Sequence, residues 1–122
     1  MNDKQTTGAE GENEAAKHLG RLGYEILETN WRFGQEEIDI IARDKEFLVI
    51  AEVKTRSTNY FGEPESFVTK KKQAHLIKAA NAYIERNALD LEVRFDILSV
   101  LKSGEFYKVH HIQNAFYPLL KK

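Results

Sequence analysis

The sequence predicts a mixed α/β fold, a β-sheet flanked by helices, in the order helix, three strands, helix, two strands. Three observations predict it. The run Phe47-Leu48-Val49-Ile50-Ala51 is unbroken apolar sequence bounded by charge, the pattern of a strand buried on both faces. Residues 8–22 and 68–87 repeat apolar side chains at spacings of three and four, the pattern of helices with one buried stripe. The remaining apolar runs are short and separated by turn residues, as strands are. Helices and strands arranged this way pack as layers around one sheet.

Residues 1–7 are polar and read as a flexible terminus, ahead of a single domain over residues 8–122. In the first helix Ala15, Ala16, Leu19 and Leu22 form the stripe, and Gly23 ends it, because glycine takes a left-handed conformation without steric cost. Tyr24 to Phe33 is the first strand, Gly34-Gln35 a turn, and Glu37 to Arg43 the second strand. Asp44-Lys45 is the expected hairpin tip before a third strand from Glu46 to Thr55. Residues 57–65, with Asn59, Gly62 and Pro64, are a loop that also carries Tyr60 and Phe61. The second helix should bury Ala74, Ile77, Ala80 and Ile84, with Leu76 and Tyr83 at the edge of the stripe. Val93 to Leu101 and Phe106 to Ile112 are the last strands, joined by Ser103-Gly104. The apolar tail from Phe116 to Leu120 is expected to pack back on the body or against another chain.

Composition narrows the function classes. The 18 basic and 19 acidic residues leave a net charge of −1, so a nucleic-acid partner must be gripped by local patches rather than by bulk charge. With no cysteine there is no disulfide framework, zinc–thiolate site or thiol nucleophile, which suits a cytoplasmic protein. The first residues lack a hydrophobic signal core, and no apolar run approaches the ~20 residues of a membrane span, so no membrane partner is expected.

The chemistry gathers at Glu52-Val53-Lys54, directly after the apolar run. Residues two apart on a strand share a face, so this carboxylate and ammonium lie side by side. A tip at Asp44-Lys45 pairs Asp39 with Ile50 and Glu37 with Glu52. Glu37, Asp39, Glu52 and Lys54 then project to one side, with Asp39 and Glu52 diagonal neighbours about 5–8 Å apart between β-carbons. Two carboxylates at such a spacing suffice to anchor magnesium, or manganese, which favours hard oxygen ligands and keeps several waters. Such an ion acidifies water and offsets charge on a phosphate, while Lys54 would orient the attacking water or stabilise the transition state. A neighbouring cation is also expected to keep both carboxylates ionised at neutral pH. Glu12, on or beside the stripe of the first helix, offers a third acid. Arg56 continues the strand past the site, and Lys70, Lys71 and Lys72 open the second helix; these are the candidate phosphate contacts. His18, His75, His110 and His111 show no metal-ligand spacing and no partner acid. A plainer reading stands beside this one: Glu52 and Lys54 as an edge-strand ion pair, Glu12 and the three lysines as solvated helix starts.

The combination resembles the YraN-like bacterial proteins, a family with the restriction-endonuclease-like, PD-(D/E)xK nuclease fold, in the order α-β-β-β-α-β-β. The resemblance rests on Gly8-Ala9-Glu10-Gly11-Glu12 with Ala15, Gly23-Tyr24-Glu25-Ile26-Leu27, Asn30-Trp31-Arg32, Glu37-Ile38-Asp39-Ile40-Ile41-Ala42 and Glu52-Val53-Lys54-Thr55-Arg56. Phe61-Gly62 with Pro64, the lysine-rich helix start and Arg94-Phe95-Asp96 complete it, over about residues 8 to 101. The order Glu, Asp, Glu-x-Lys is also similar to that of archaeal Holliday-junction resolvases. The resemblance implies that Glu12, Asp39, Glu52 and Lys54 take the four signature positions of a magnesium-dependent nuclease. DNA, structured or branched, is the expected polymer ahead of RNA, and a homodimer would double the basic surface. Glu36 departs from the family's usual glycine and adds charge near the metal. The rival expectation is a non-catalytic nucleic-acid-binding module that keeps the nuclease fold.

Overall fold

The computed structural model describes the backbone of residues 3–57 and 68–116, and the side chains of residues 8–56 and 68–116. Seven elements follow one another: α1 (Asp3–Arg21), β1 (Glu25–Phe33), β2 (Glu36–Asp44), β3 (Phe47–Ser57), α2 (Lys70–Asn87), β4 (Glu92–Ser103) and β5 (Phe106–Ile112). This is the predicted order. The strands form one five-stranded sheet in sequence order. β3 and β4 are parallel, connected through α2, and every other neighbouring pair is antiparallel. No helix of the described residues is long and apolar enough to cross a membrane.

Each face of the sheet carries one helix and one apolar cluster. Ile38, Ile41, Leu48, Ile50, Phe95 and Ile97 pack with Leu76, Ala79, Ala80 and Tyr83 of α2. Ile40, Ala42, Val49, Ala51, Leu98 and Val100 pack with Ala15 and Leu19 of α1 and with Tyr24. Burial of a large aliphatic side chain is worth roughly 1.5–3 kcal/mol, so these clusters, more than helix propensity, fix both helices. Alternate residues of Leu48–Ala51 serve opposite faces, which explains the unbroken apolar run.

Several local expectations change. α1 begins at Asp3, and Leu22 lies beyond its end, half-exposed, rather than on the stripe. α2 buries Leu76, Ala79, Ala80 and Tyr83, whereas Ala74 is exposed and Ile77 and Ile84 are only partly buried. The larger Leu76 and Tyr83 reach the sheet and turn the helix about its axis by roughly one residue. The β2–β3 tip is Lys45-Glu46, between the paired Asp44 and Phe47. Lys45 takes a left-handed φ of 57°, and with no glycine in this stretch the tip position had no sequence mark. The 57–65 loop after Ser57, with Tyr60, Phe61, Gly62 and Pro64, lies outside the described residues, as does the tail beyond Phe116. Phe116 itself stacks on Phe95, ring centroids 5.0 Å apart.

α1 approaches β3 closely through Gly11. A β-carbon there would lie 1.6 Å from Thr55 Oγ1 and 2.9 Å from Thr55 Cβ. Gly11→Ala is therefore expected to push α1 off the sheet and to cost about 1–3 kcal/mol, read as a lower denaturation midpoint. Gly20→Ala, where a β-carbon meets nothing within 4 Å, is the matched control and should not destabilise.

Candidate active site at the fork between the second and third strands

β2 and β3 are paired only from Ile40 with Ala51 to Asp44 with Phe47. β2 starts earlier, at Glu36, and β3 runs on to Ser57, so the strands part beyond Ala51. Asp39 and Glu52 are the first residues past the last pair and stand opposite each other. The register thus differs from the expected one by two residues: Asp39 replaces Glu37 opposite Glu52. A shift of two preserves side-chain parity, so the expected gathering of acids survives, closer than foreseen.

The backbone is irregular at this point. Ile38 packs in the α2 cluster and Ile40 in the α1 cluster, so the regular alternation breaks at Asp39. Across β1, Asn30 has a φ of 50° and interrupts the ladder between Thr29 with Ile40 and Trp31 with Ile38. Asparagine is among the few residues that tolerate this region. In place of the missing β2–β3 ladder bond, the Val53 N–H donates to Asp39 Oδ2 at 2.8 Å. That bond ties the aspartate of one strand to the strand carrying the glutamate.

The electrostatics follow from burial. Glu52 is buried, with its carboxyl pushed up to about 8, first by desolvation and then by the Asp39 charge, against which Lys72 acts. Asp39 is pushed up to about 6 by desolvation, opposed by the Val53 hydrogen bond and reinforced by Glu12. Glu12 is half-buried and raised by desolvation, while Asn30 hydrogen-bonds its side chain and the Glu37 charge adds to the rise. Both opposed carboxylates therefore hold protons more tightly than expected from a neighbouring cation. Desolvation outweighs the cation.

Residues 11–100 match the uncharacterised protein family UPF0102. Over 117 residues the chain is 48% identical to a UPF0102 protein of Flavobacterium psychrophilum, covering 96% of this chain and 98% of that one. The chain belongs to the UPF0102 family. A UPF0102 protein of Christiangramia forsetii is 46% identical over 117 residues, and one of Phocaeicola vulgatus 42% over 118, each again spanning 98% of the relative. The YraN-like resemblance is thereby borne out, and the segment matching UPF0102 includes every residue of the fork and the start of α2.

Within this UPF0102 chain the predicted residues divide. Glu12, Asp39 and Glu52 lie together at the fork, where the Glu12 charge raises Asp39 and the Asp39 charge raises Glu52. Lys54 is exposed, two residues past Glu52 on β3. The cation paired with Glu52 is Lys72, whose Nζ lies 3.3 Å from Glu52 Oε2. Lys70 and Lys71 are exposed in the first turn of α2, and Arg56 is half-buried further along β3. Sequence reasoning missed Asn30 as a partner of Glu12, although an asparagine inside a strand is itself a signal of unusual backbone. It also missed a second polar centre. Arg94 donates from Nε and Nη2 to the two oxygens of Asp96 at 3.0 Å, from Nη1 to Asp44 at 3.0 Å, and from Nη2 to the Tyr24 hydroxyl at 2.6 Å. His111 Nε2 lies 2.7 Å from Asp96 Oδ2, so His111 does have a partner acid, brought to it by the β4–β5 pairing.

The donor set at the fork fits a hard divalent cation. Glu52 Oε1 is buried and has no hydrogen-bond partner among the described residues. Asp39 and Glu52 supply carboxylate oxygens only, and among the described residues no group of three or more His, Asp or Glu side chains closes into a cage. Two carboxylates with open positions suit magnesium or manganese, which retain water, better than zinc or calcium, which take more protein ligands.

Proposed function

We propose that this chain is a magnesium- or manganese-dependent nuclease that hydrolyses phosphodiester bonds in DNA, in a structured or branched form ahead of a linear one. The observation that carries the reading is the pair of opposed carboxylates at the fork, Glu52 buried and Asp39 partly buried, the former with an oxygen that no described residue hydrogen-bonds. Setting two carboxyls side by side away from water is costly, as their raised hold on protons shows, and stable packing gives no reason for it; a cation between them does.

Asp39 and Glu52 would hold the ion, with the Val53 N–H fixing the Asp39 carboxylate. When bound, the ion acidifies water and offsets charge on the scissile phosphate. Glu12, oriented by Asn30, adds an acid at the rim, directly or through water. Lys54, exposed beside the fork, orients the attacking water or stabilises the charge that develops on the phosphate. Arg56, Lys70 and Lys71 lie where the flanking backbone would run, and a homodimer would set two such surfaces at a fixed spacing.

The test is incubation of the purified protein with linear, single-stranded, flapped and four-way-junction DNA, with magnesium or manganese. Cutting of one structure is expected, lost in Asp39→Asn and reduced about 10²–10³-fold in Lys54→Ala. The one other reading is a nucleic-acid-binding module without catalysis, gripping through the lysines that open α2. Salt-dependent binding with no metal-dependent cutting of any DNA or RNA would decide for it.

A further inference from the structure

Lys72 is placed against the preference of its own helix. Thr69 caps α2, and its Oγ1 accepts the Lys72 N–H at 3.1 Å, so Lys72 is the third residue of the first turn. Cations are disfavoured at this end of a helix and acids are favoured, yet the first turn of α2 has no acid and three lysines. What Lys72 gains instead is Glu52, whose side chain is 7% exposed against 45% for Lys72. The two partners are therefore unlike in freedom. The glutamate is locked in the fork, with Oε2 on Lys72 and Oε1 on no described residue. The lysine reaches in from solvent on a flexible four-carbon stem and can leave without unpacking the core.

A divalent cation on Asp39 and Glu52 would stand beside the Lys72 ammonium as a like charge, competing for the same carboxylate. Resting on the metal-dependent reading above, we propose that Lys72 is a tethered counter-ion: it holds Glu52 before the metal enters and is expelled by it towards the phosphate-binding surface. There it joins Lys70 and Lys71, so that metal loading and grip on the nucleic-acid backbone are coupled. The residue acts by positioning and exchange, and it does not need to touch the reacting atoms.

The test pairs calorimetric titration of the whole chain with magnesium and brief reductive methylation of its lysines, read by mass spectrometry with and without magnesium. Magnesium is expected to raise methylation of Lys72 about two- to fivefold, the factor that a modest, half-exposed ion pair withholds. Lys70 and Lys71 should be unchanged, and Asp39→Asn should abolish both the binding heat and the rise at Lys72. Binding heat with Lys72 methylation unchanged or lowered would overturn the exchange while leaving the metal site standing. No heat with magnesium or manganese would remove the metal reading and this inference together. A purely structural Lys72–Glu52 bridge predicts no metal-dependent change in amine reactivity.

Discussion

Glu52→Gln is expected to make the protein more stable at pH 8, by about 2–4 kcal/mol, while removing one of the two carboxylates proposed to hold metal. The reason is the buried charge. Glu52 is pushed up to about 8 by desolvation and by Asp39, from an ordinary value of 4.5. Between those two values the folded chain holds a proton that the unfolded chain has released. Stability from this group is therefore fully present below about 4.5 and is lost as pH rises towards about 8. Glutamine keeps the shape and an acceptor for Lys72 but carries no charge, so this loss disappears. His18 runs the other way, because desolvation, His111 and Arg21 lower it and its neutral form gains stability as pH rises. The readout is accordingly the difference between wild type and variant in urea midpoints at pH 5 and pH 8.5. The difference should be small at pH 5 and large at pH 8.5. Equal differences at both values would mean that Glu52 is not a buried charge. On the proposed function, magnesium at a hundred times its Kd stabilises the wild type by about 2.7 kcal/mol and leaves the variant unmoved.

The second large effect lies away from the fork. Arg94→Met is expected to destabilise the fold by about 3–5 kcal/mol, because it strands a buried carboxylate. The Asp96 side chain is 0% exposed, and Arg94 supplies two of its hydrogen bonds, with His111 and the Asn114 N–H supplying the others. Arg94 also lies 5.4 Å from the Tyr24 ring centre and 5.3 Å from that of Phe47, so its loss removes packing as well as charge. Replacing both partners, Arg94→Met with Asp96→Leu, should recover part of the loss, since it removes the stranded carboxylate and leaves only the weaker cost of His111 and the Asn114 N–H losing their acceptor. If the double variant were as unstable as the single, the network would be held by shape rather than by charge. The pH signature has the opposite sign to that of Glu52. Burial alone would raise Asp96, but hydrogen bonds from His111, Arg94 and the Asn114 N–H hold it below its ordinary 3.8. Its stabilising contribution is present above that value and is lost as the solution is acidified below it. Acid unfolding monitored by circular dichroism should therefore begin at higher pH in Asp96→Asn than in wild type.

These two centres differ in how far the sequence announced them. The fork was legible because its parts are local. A run of five apolar residues ending in Glu52-Val53-Lys54 can be read as a buried strand with charge at its end, and Asp39 sits in a similar strand nearby. Parity helps, since a hairpin register wrong by two keeps Asp39 and Glu52 on a shared side, although the alternation itself breaks at Asp39. The Arg94 centre was not legible. Arg94 and Asp96 look like the polar side of an alternating strand, and only parallel pairing with β3 and antiparallel pairing with β5 bury them. The acid partner of His111 is fifteen residues away, and its link depends on which strand lies at the sheet edge.

By itself, then, the sequence determined the order of elements, the two-faced burial of β3 and the gathering of an aspartate and a glutamate on one side of a hairpin, while the structure set them directly opposite each other. The three legible features follow from the periods of helix and strand, which hydrophobic patterning records directly. Tertiary structure alone decided that the strands part just beyond Ala51, that Asn30 turns Glu12 into the fork, and that Lys72 rather than Lys54 pairs with Glu52. The physical reason is desolvation. How strongly a carboxyl holds its proton, and which cation answers it, depends on what the two helices cover, and that is set by packing between segments far apart in the chain.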